Sequence, residues 1–329
     1  MSRNIHVTLT GGLGNQLFQL SAGLSLIDGV NQQIILDSGL GRPRLSSNGL
    51  PELETFSFPK NVLFRKTGAT SWFYRKTNGY LLRMGVRLKW YEKPRFIREA
   101  IRKIGRLILN RYFAEEVEII TGKGLGYSEL KVSDKSVNLS GYFQSYKYLE
   151  IANANKVLSK MVLKNESEEL QYLIKLCKLE TPLIVHFRLG DYEQEPLFGI
   201  PGDDYYQKAL DCALTEIDVT NIWFFSDDIE KAKTRFSHAS ELNLPIRWID
   251  SVAASTSETF ELMRYGKAYI IANSSFSFWA AALSYTKQVR VWAPWPWFQK
   301  MDSPNLLIPP SWETINPWIV SGRQEESHL

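Results

Sequence analysis

The chain has 329 residues, 44% hydrophobic and 22% charged, which is typical of soluble globular proteins and long enough for two domains. Its two cysteines, Cys177 and Cys212, exclude a disulfide framework, and no metal-ligand spacing surrounds them. The N-terminus runs into a strand-like segment without an apolar leader, and no stretch approaches membrane-spanning length. We therefore expect a cytoplasmic protein that at most contacts the inner face of a membrane.

The first predicted element is a strand over 4–9, followed by a glycine-rich turn, a helix and a second strand over 33–36. Small residues at such a turn let ligand oxygens approach the free N–H groups at the helix start. The dinucleotide fingerprint is not matched, since Leu17 stands at the third glycine position, and no P-loop lysine follows. Two interpretations stay open: a turn that needs glycine for backbone reasons alone, or a ligand site formed by Gly12, Gly14, Asn15 and Gln16.

A basic segment interleaved with aromatic residues comes next. Between Lys60 and Arg111 there are 15 Lys and Arg residues against Glu92 and Glu99, a balance of +13. The whole chain carries +4, so the remainder carries −9. This segment favours contact with an anionic membrane or a phosphorylated carrier. A solvated basic face is the alternative, and nucleic acid ranks last because no recognised nucleic-acid module accompanies the charge.

The middle of the chain is less regular. Residues 138–148 are rich in aromatic and amide side chains, which can hold a sugar although they more often only pack. A charged helix is predicted over 156–178, with its apolar residues at helical spacing. We place the domain boundary at its start, which gives domains over 1–155 and 156–329.

The second half alternates short apolar β runs with helices, and this pattern predicts an α/β fold with a doubly wound, mainly parallel sheet. The predicted strands cover 183–187, 222–225, 246–249, 268–272 and 289–292. Polar residues follow three of these strands, at the strand ends where such sheets form a ligand crevice. The candidate ligand-binding residues there are His186, Arg188, Asp227, Asn273, Ser274, Ser275, Phe276 and Ser277.

These residue types suit a diphosphate. Arg188 offers a planar charged fork, and the serines at 274–277 combine a helix cap with free helix N–H groups. No Asp-x-Asp motif that would hold a metal is present, so we expect neither metal nor cofactor, and Arg188 with the helix start would stabilise the leaving group. The plainer alternative pairs Arg188 with Asp191 and leaves His186 as an ordinary half-buried residue. We interpret Asp228 as a helix cap.

The ordered set of motifs resembles the α-1,2-fucosyltransferases of glycosyltransferase family 11. The matching segments span nearly the whole chain: 11–19 (Gly-Gly-Leu-Gly-Asn-Gln-Leu-Phe-Gln), 141–144 (Gly-Tyr-Phe-Gln), 186–192 (His-Phe-Arg-Leu-Gly-Asp-Tyr), 225–228 (Phe-Ser-Asp-Asp), 273–281 (Asn-Ser-Ser-Phe-Ser-Phe-Trp-Ala-Ala) and 310–312 (Pro-Ser-Trp). The resemblance implies a GT-B architecture, two Rossmann-like domains facing across a cleft, with the donor on the C-terminal domain and the acceptor on the N-terminal one. It also implies inverting transfer of L-fucose from GDP-β-L-fucose to the 2-hydroxyl of a terminal β-galactose.

The resemblance further implies roles for single residues. Arg188 would contact the diphosphate, His186 would line the donor site, Ser274 and Ser275 would bind phosphate, and Asn15 would reach the donor from the other domain. Two positions depart from the family pattern: Leu189 replaces a second arginine, and Thr259 replaces an aspartate, so Glu258 or Glu261 is expected to recognise guanine instead. Asp191 is our hypothetical general base, which makes Arg188, Asp191 and Asn15 the candidate catalytic residues.

The expected partners are GDP-fucose and a β-galactoside glycan, carried on a lipid pyrophosphate during assembly of a surface polysaccharide such as O-antigen. Three other classes remain as alternatives. A related GT-B transferase would use another nucleotide sugar, and this is the nearest rival because of Thr259. An NAD(P)-dependent oxidoreductase would need the complete glycine fingerprint. A non-catalytic RNA- or glycan-binding protein would leave both predicted ligand crevices without a purpose.

Overall fold

The computed structural model describes residues 4–29, 32–39, 41–65, 117–122, 125–131, 134–237 and 242–319, without the side chains of 117, 152, 191 and 194. Most of the basic aromatic segment therefore lies outside the described residues. The chain forms two compact units. The first comprises Met1–Asn165 with Pro304–Pro309, and the second comprises Glu166–Ser303 with Pro310–Leu329.

The first unit is built on a five-stranded parallel sheet of order β4-β2-β1-β6-β5. A short antiparallel pair, β3 with β7, lies beside it. The elements are β1 (Ile5–Thr8), α1 (Leu13–Leu24), β2 (Ile34–Asp37), a 3-10 turn (Glu52–Thr55), β3 (Phe56–Ser57), β4 (Val62–Arg65), β5 (Val117–Thr121), β6 (Ser136–Ser140), α2 (Lys147–Glu150), α3 (Ala152–Leu158) and β7 (Val162–Leu163).

Helix α1 packs closely on one face of this sheet. A Cβ added to Gly23 would lie 2.7 Å from Cγ2 of Val7, so only glycine allows the helix to approach the strand this closely. The neighbouring side chains Ile5, Leu17 and Ile34 are all fully buried. This contact fixes where the start of α1 stands relative to the end of β1.

The second unit holds a six-stranded parallel sheet of order β10-β9-β8-β11-β12-β13. Its strands are mainly apolar, which is typical of doubly wound sheets, with charged residues at Arg247 in β10, Arg290 in β12 and Glu313 in β13. The elements are α4 (Glu168–Glu180), β8 (Leu183–Phe187), a 3-10 turn (Asp191–Gln194), α5 (Asp203–Glu216), β9 (Ile222–Ser226), α6 (Ile229–Arg235), β10 (Ile246–Ile249), α7 (Thr256–Met263), β11 (Ala268–Ile270), α8 (Ser275–Ala282), β12 (Arg290–Pro294) and β13 (Glu313–Ile315).

Each sheet has a point where the strand order reverses. In the first unit it lies between β1 and β6, and in the second between β8 and β11. Open α/β sheets bind ligands in the crevice at the carboxyl ends of the strands, at such a reversal. The candidate residues 12–16 follow β1, His186 and Arg188 lie at the end of β8, and 273–277 follow β11, whereas Asp227 follows the neighbouring β9.

The predicted α/β class with two Rossmann-like parts is confirmed, and most predicted strands agree with the structure within two residues. The continuous helix predicted over 156–178 is wrong. α3 ends at Leu158, and α4 begins only after Ser167, whose hydroxyl accepts from the Leu170 N–H at 3.1 Å. Strand β7 lies between the two helices and pairs with β3 of the first unit, so the compact units divide after Asn165, later than the expected boundary at 155/156. Within the described ranges, no helix combines the length and the apolar character needed to cross a membrane.

Candidate functional site

The crevice of the second unit is organised by an ion pair between two of its loops. Arg188 follows β8, Asp227 follows β9, and Nη1 of the arginine lies 3.2 Å from Oδ2 of the aspartate. Their side chains are 17% and 23% exposed, so the pair is accessible from solvent. Arg188 therefore pairs with Asp227 and remains accessible to an anion.

Asp227 also holds the turn that follows β8. Its Oδ1 accepts from the Leu189 N–H at 2.8 Å, and its Oδ2 accepts from the Gly190 N–H at 3.1 Å. A Cβ on residue 190 would lie 2.9 Å from Oδ2, which explains the glycine there. The Asp227 carboxylate thus has three partners within the protein, and its role in ligand binding stays a prediction.

A second connection joins this turn to the loop after β11. The Tyr192 hydroxyl donates to the Asn273 carbonyl at 3.0 Å, and the Arg188 guanidinium lies over the Tyr192 ring at 5.6 Å. The Asn273 amide in turn donates to the carbonyls of Phe198 and Gly199 at 3.3 and 3.1 Å. Tyr192, for which no role was predicted, thus connects the Arg188 turn with the loop that precedes α8.

The start of α8 has the cap that its sequence predicts. Ser274 is the N-cap, and its hydroxyl accepts from the Phe276 N–H at 3.3 Å. The Ser277 hydroxyl is buried and donates to the Ser274 carbonyl at 3.3 Å, so it is committed to the helix. Ser275 is half-buried, and its side chain has no hydrogen bond to another described residue. Of the three serines, Ser275 offers the most available hydroxyl.

His186 is a neutral group at the end of β8. It is 4% exposed, and its ring lies 5.9 Å from the ring of Phe276. Burial, reinforced by the charge of Arg188, lowers the pKa of His186 to about 3. Its Nδ1 is buried and has no hydrogen-bond partner among the described residues. Next to Arg188, the imidazole therefore provides an uncharged polar atom that a ligand can use.

The expected guanine-recognising residues have structural partners. Oε1 of Glu258 accepts from the Ser167 N–H at 3.3 Å, and Oε2 accepts from the Ser167 hydroxyl. Glu261 is 2% exposed and forms a buried ion pair with Arg264 at 2.7 Å. These contacts favour a structural role, in holding α4 and α7, rather than recognition of the guanine base. Asp191 begins the 3-10 turn after Gly190, and its side chain lies outside the described residues.

In the first unit, the helix start predicted to hold an anion already contacts a carboxylate. Oε2 of Glu52, which is 2% exposed, accepts from the Leu13 N–H at 2.6 Å, and it would lie 3.6 Å from a Cβ on Gly12. The Arg44 guanidinium lies close to the same point, with Nη1 3.9 Å from that Cβ position, so charges of both signs stand beside this helix start. Gly14 is buried within the first turn of α1. Because Glu52 is 39 residues from Leu13, nothing in the local sequence points to this contact.

The Gln16 side chain makes its hydrogen bonds within the protein, and its role in ligand binding stays a prediction. It is fully buried, its Nε2 donates to the carbonyls of Gly11 and Arg44 at 2.9 and 3.1 Å, and its Oε1 accepts from the Leu53 N–H at 3.0 Å. Asn15 is different: it is half-buried, and within the described parts of the chain its side chain has one hydrogen-bond partner, Gln144, at 2.9 Å. Asn15 is thus the residue of this turn that remains available to a substrate.

No group of three or more His, Cys, Asp or Glu residues in the described parts of the chain has the arrangement of a metal site. The expectation of metal-independent chemistry stays a prediction.

The chain has two Rossmann-like units. In the second unit, a guanidinium and a capped helix start lie at the point where the strand order reverses. This arrangement is characteristic of GT-B glycosyltransferases. The chain belongs to glycosyl transferase family 11, whose model matches residues 72–312. It is 26% identical over 303 residues to an alpha-1,2-colitosyltransferase of Escherichia coli, covering 89% of this chain and 92% of that protein. It is also 26% identical over 321 residues to the O-antigen biosynthesis glycosyltransferase WbnK of Escherichia coli, covering 94% and 98%.

Solved structures with a similar fold include two transferases. The fucosyltransferase NodZ from Bradyrhizobium is 12% identical with a TM-score of 0.45, over 86% of this chain and 92% of that chain. The ADP-heptose lps heptosyltransferase II of E. coli is 12% identical with a TM-score of 0.47, over 97% and 91%.

Proposed function

We propose that this glycosyltransferase moves L-fucose from GDP-β-L-fucose to the 2-hydroxyl of a terminal β-galactose, with inversion, during assembly of a surface polysaccharide such as O-antigen. The observation that carries the proposal is the crevice between β8 and β11, where Arg188 and Ser275 lie beside the neutral His186. Membership of family 11 supports sugar transfer, the name of the E. coli colitosyltransferase supports an α-1,2 linkage, and the name of WbnK supports O-antigen as the kind of glycan.

In the proposed reaction, the galactose 2-hydroxyl oxygen attacks C1 of fucose while the bond from C1 to the β-phosphate oxygen breaks. GDP leaves with the electron pair, and the hydroxyl proton passes to a base, for which Asp191 is our candidate. Negative charge grows on the departing diphosphate, and Arg188 with the N–H groups at the start of α8 would stabilise it. Removing the guanidinium would cost about 3 kcal/mol of transition-state stabilisation, roughly a hundredfold in rate.

A second donor has a specific observation in its favour, since one relative is an alpha-1,2-colitosyltransferase. Colitose is L-fucose without its 3-hydroxyl, so both donors would place the same diphosphate on Arg188. A site that hydrogen-bonds the 3-hydroxyl would reject the deoxy sugar strongly, whereas a site without such a partner would accept both. Comparing kcat/KM for the two GDP sugars therefore decides the donor.

The first experiment is isothermal titration of the EDTA-treated protein with GDP, with UDP and NADH as competitors, followed by transfer to β-galactosides and assignment of the linkage by NMR. We expect GDP to bind without metal and Arg188→Ala to abolish binding. Arg247→Ala is the matched control, because Arg247 is ion-paired with Glu180 and not with the crevice loops. Preference for UDP or NADH would overturn the proposed donor, and loss of binding in the control alone would overturn the proposed site.

We also propose that the acceptor is carried on a lipid pyrophosphate at the cytoplasmic face of the membrane, which the basic segment between Lys60 and Arg111 would contact. The support is its balance of +13 in an otherwise acidic chain. Flotation with liposomes should show binding that grows with the fraction of anionic lipid and weakens with salt. Equal recovery with neutral and anionic liposomes would contradict this contact.

A further inference from the structure

The crevice of the first unit contains a pair of side-chain amides. Asn15 lies in the first turn of α1, after β1, and Gln144 lies in the loop after β6. These two loops meet where the strand order reverses. Nε2 of Gln144 donates to Oδ1 of Asn15 at 2.9 Å, which connects loops 129 residues apart in sequence.

This contact leaves one end of the Asn15 amide available. Its Oδ1 is used as an acceptor, whereas its Nδ2 has no hydrogen-bond partner among the residues that the structure describes. Nδ2 lies over Gly11, where an added Cβ would come within 2.6 Å. Gly11 has φ +74°, which a residue with a side chain rarely adopts. The glycine therefore provides the space that the free amide group occupies.

Gln144 is itself held firmly. Its backbone N–H donates to the Leu125 carbonyl at 2.6 Å, and the next residue, Ser145, is anchored to Leu306 through its hydroxyl at 2.5 Å. The residue before it, Phe143, is fully buried with φ +51°, an uncommon conformation for a residue other than glycine. Such backbone strain persists only where the surroundings impose it, and it is concentrated at functional positions.

We propose that Gln144 is a positioning residue, which fixes the Asn15 amide so that Nδ2 presents hydrogen-bond donors to a substrate oxygen. This inference rests on the proposed function and deepens it. Without Gln144, the Asn15 amide rotates freely and presents oxygen as often as nitrogen. The substrate oxygen belongs either to the donor diphosphate or to the acceptor hydroxyl, and the KM values for the two substrates distinguish these sources.

The test is a double-mutant cycle of Asn15→Ala and Gln144→Met, with kcat and both KM values measured under transferase conditions. We expect Gln144→Met to lower kcat/KM about tenfold and Asn15→Ala about a hundredfold. In the Asn15→Ala background, adding Gln144→Met should change kcat/KM less than about twofold, because the residue it positions is gone. Additive losses would overturn the positioning role.

Gln144→Glu provides a second variant if the methionine variant does not fold. A carboxylate accepts from Nδ2 of Asn15 instead of donating to Oδ1, so this change should lower kcat/KM at least as much as Gln144→Met. Activity like that of the wild type would overturn the proposal.

The control variant is Gln207→Met. The Gln207 amide bonds Asp211 on an exposed helix face, so this substitution should leave the kinetics unchanged. A wild-type protein that transfers no sugar would refute the proposed function itself, whereas an active wild type with additive variants would refute only the role of Gln144.

Discussion

Replacing Asp227 by asparagine tests whether this carboxylate positions Arg188 or merely competes with a bound diphosphate. The carboxylate has three partners: the N–H groups of Leu189 and Gly190 and the Arg188 guanidinium. An asparagine can keep the bond from the Leu189 N–H through its one oxygen. Its NH₂ group would then face two donors, the Gly190 N–H and the guanidinium, so both of those contacts are lost.

The expected loss follows from these contacts. A hydrogen bond to a charged acceptor contributes about 2 kcal/mol. The ion pair is 17% and 23% exposed, so solvent screening limits its contribution to about 1 kcal/mol. The free energy of unfolding should therefore fall by about 3 kcal/mol. Binding of GDP should weaken about tenfold, because the ligand must then order the Arg188 side chain itself at a cost of about 1–2 kcal/mol.

The assays are denaturant unfolding at fixed pH and titration with GDP, and Asp228→Asn is the neighbouring control. Asp228 caps α6 by accepting from the Lys231 N–H at 3.1 Å and has no contact with Arg188. Since asparagine also caps helices well, this control should lose less than about 1 kcal/mol and bind GDP normally. If Asp227→Asn bound GDP as tightly as the wild type, or more tightly, Asp227 would be a competitor and the positioning argument would fail.

Three further predictions concern the same unit. His186 is neutral in the folded protein and gains a proton in the unfolded chain below pH 6.5, so the free energy of unfolding falls as the pH drops towards the folded pKa of about 3. His186→Gln should remove about 2 kcal/mol of the loss in unfolding free energy between pH 7 and pH 5. An unchanged pH profile of stability would contradict this prediction. Gly190→Ala should displace Asp227 Oδ2 from its 2.9 Å approach and destabilise by about 1–3 kcal/mol in urea unfolding, whereas wild-type stability would show that the turn adjusts freely. Glu258→Gln should lower the free energy of unfolding by about 1–2 kcal/mol, because it weakens the contacts with Ser167. The ratio of GDP to UDP affinity should stay constant. A changed ratio would support Glu258 as the residue that recognises guanine.

Local sequence patterns were enough to predict the second unit. The β runs there are mainly apolar, which is typical of parallel strands covered on both faces, and a polar residue after several of them marks the strand end. Helix caps are also local, so Asp228 and Ser274 were recognised from their neighbours alone, and the structure confirms Asp228 as a cap. The alternation of strands and helices predicts a parallel sheet with a crevice at its strand ends, and the observed strand order places that crevice between β8 and β11.

The contacts that decide which side chains remain available could not be predicted in this way. Gln16 and Asn15 are adjacent amides in one motif, yet Gln16 is fully buried against Leu53 and Asn15 meets Gln144. Whether an amide near a helix start faces the interior or the crevice depends on loops 37 and 129 residues away. The same is true of Asp227, whose partners in the turn after β8 lie about 38 residues earlier.

The two crevices differ in charge, and this difference separates their roles. In the first unit, the buried carboxylate of Glu52 already accepts from the Leu13 N–H at the start of α1, and the Arg44 guanidinium lies close to the same point. In the second unit, the start of α8 is capped by the uncharged Ser274 hydroxyl, and Arg188 supplies a positive charge nearby. We therefore expect the leaving diphosphate to lie at the second crevice, with the Asn15 amide of the first unit supplying neutral hydrogen-bond donors to a substrate oxygen.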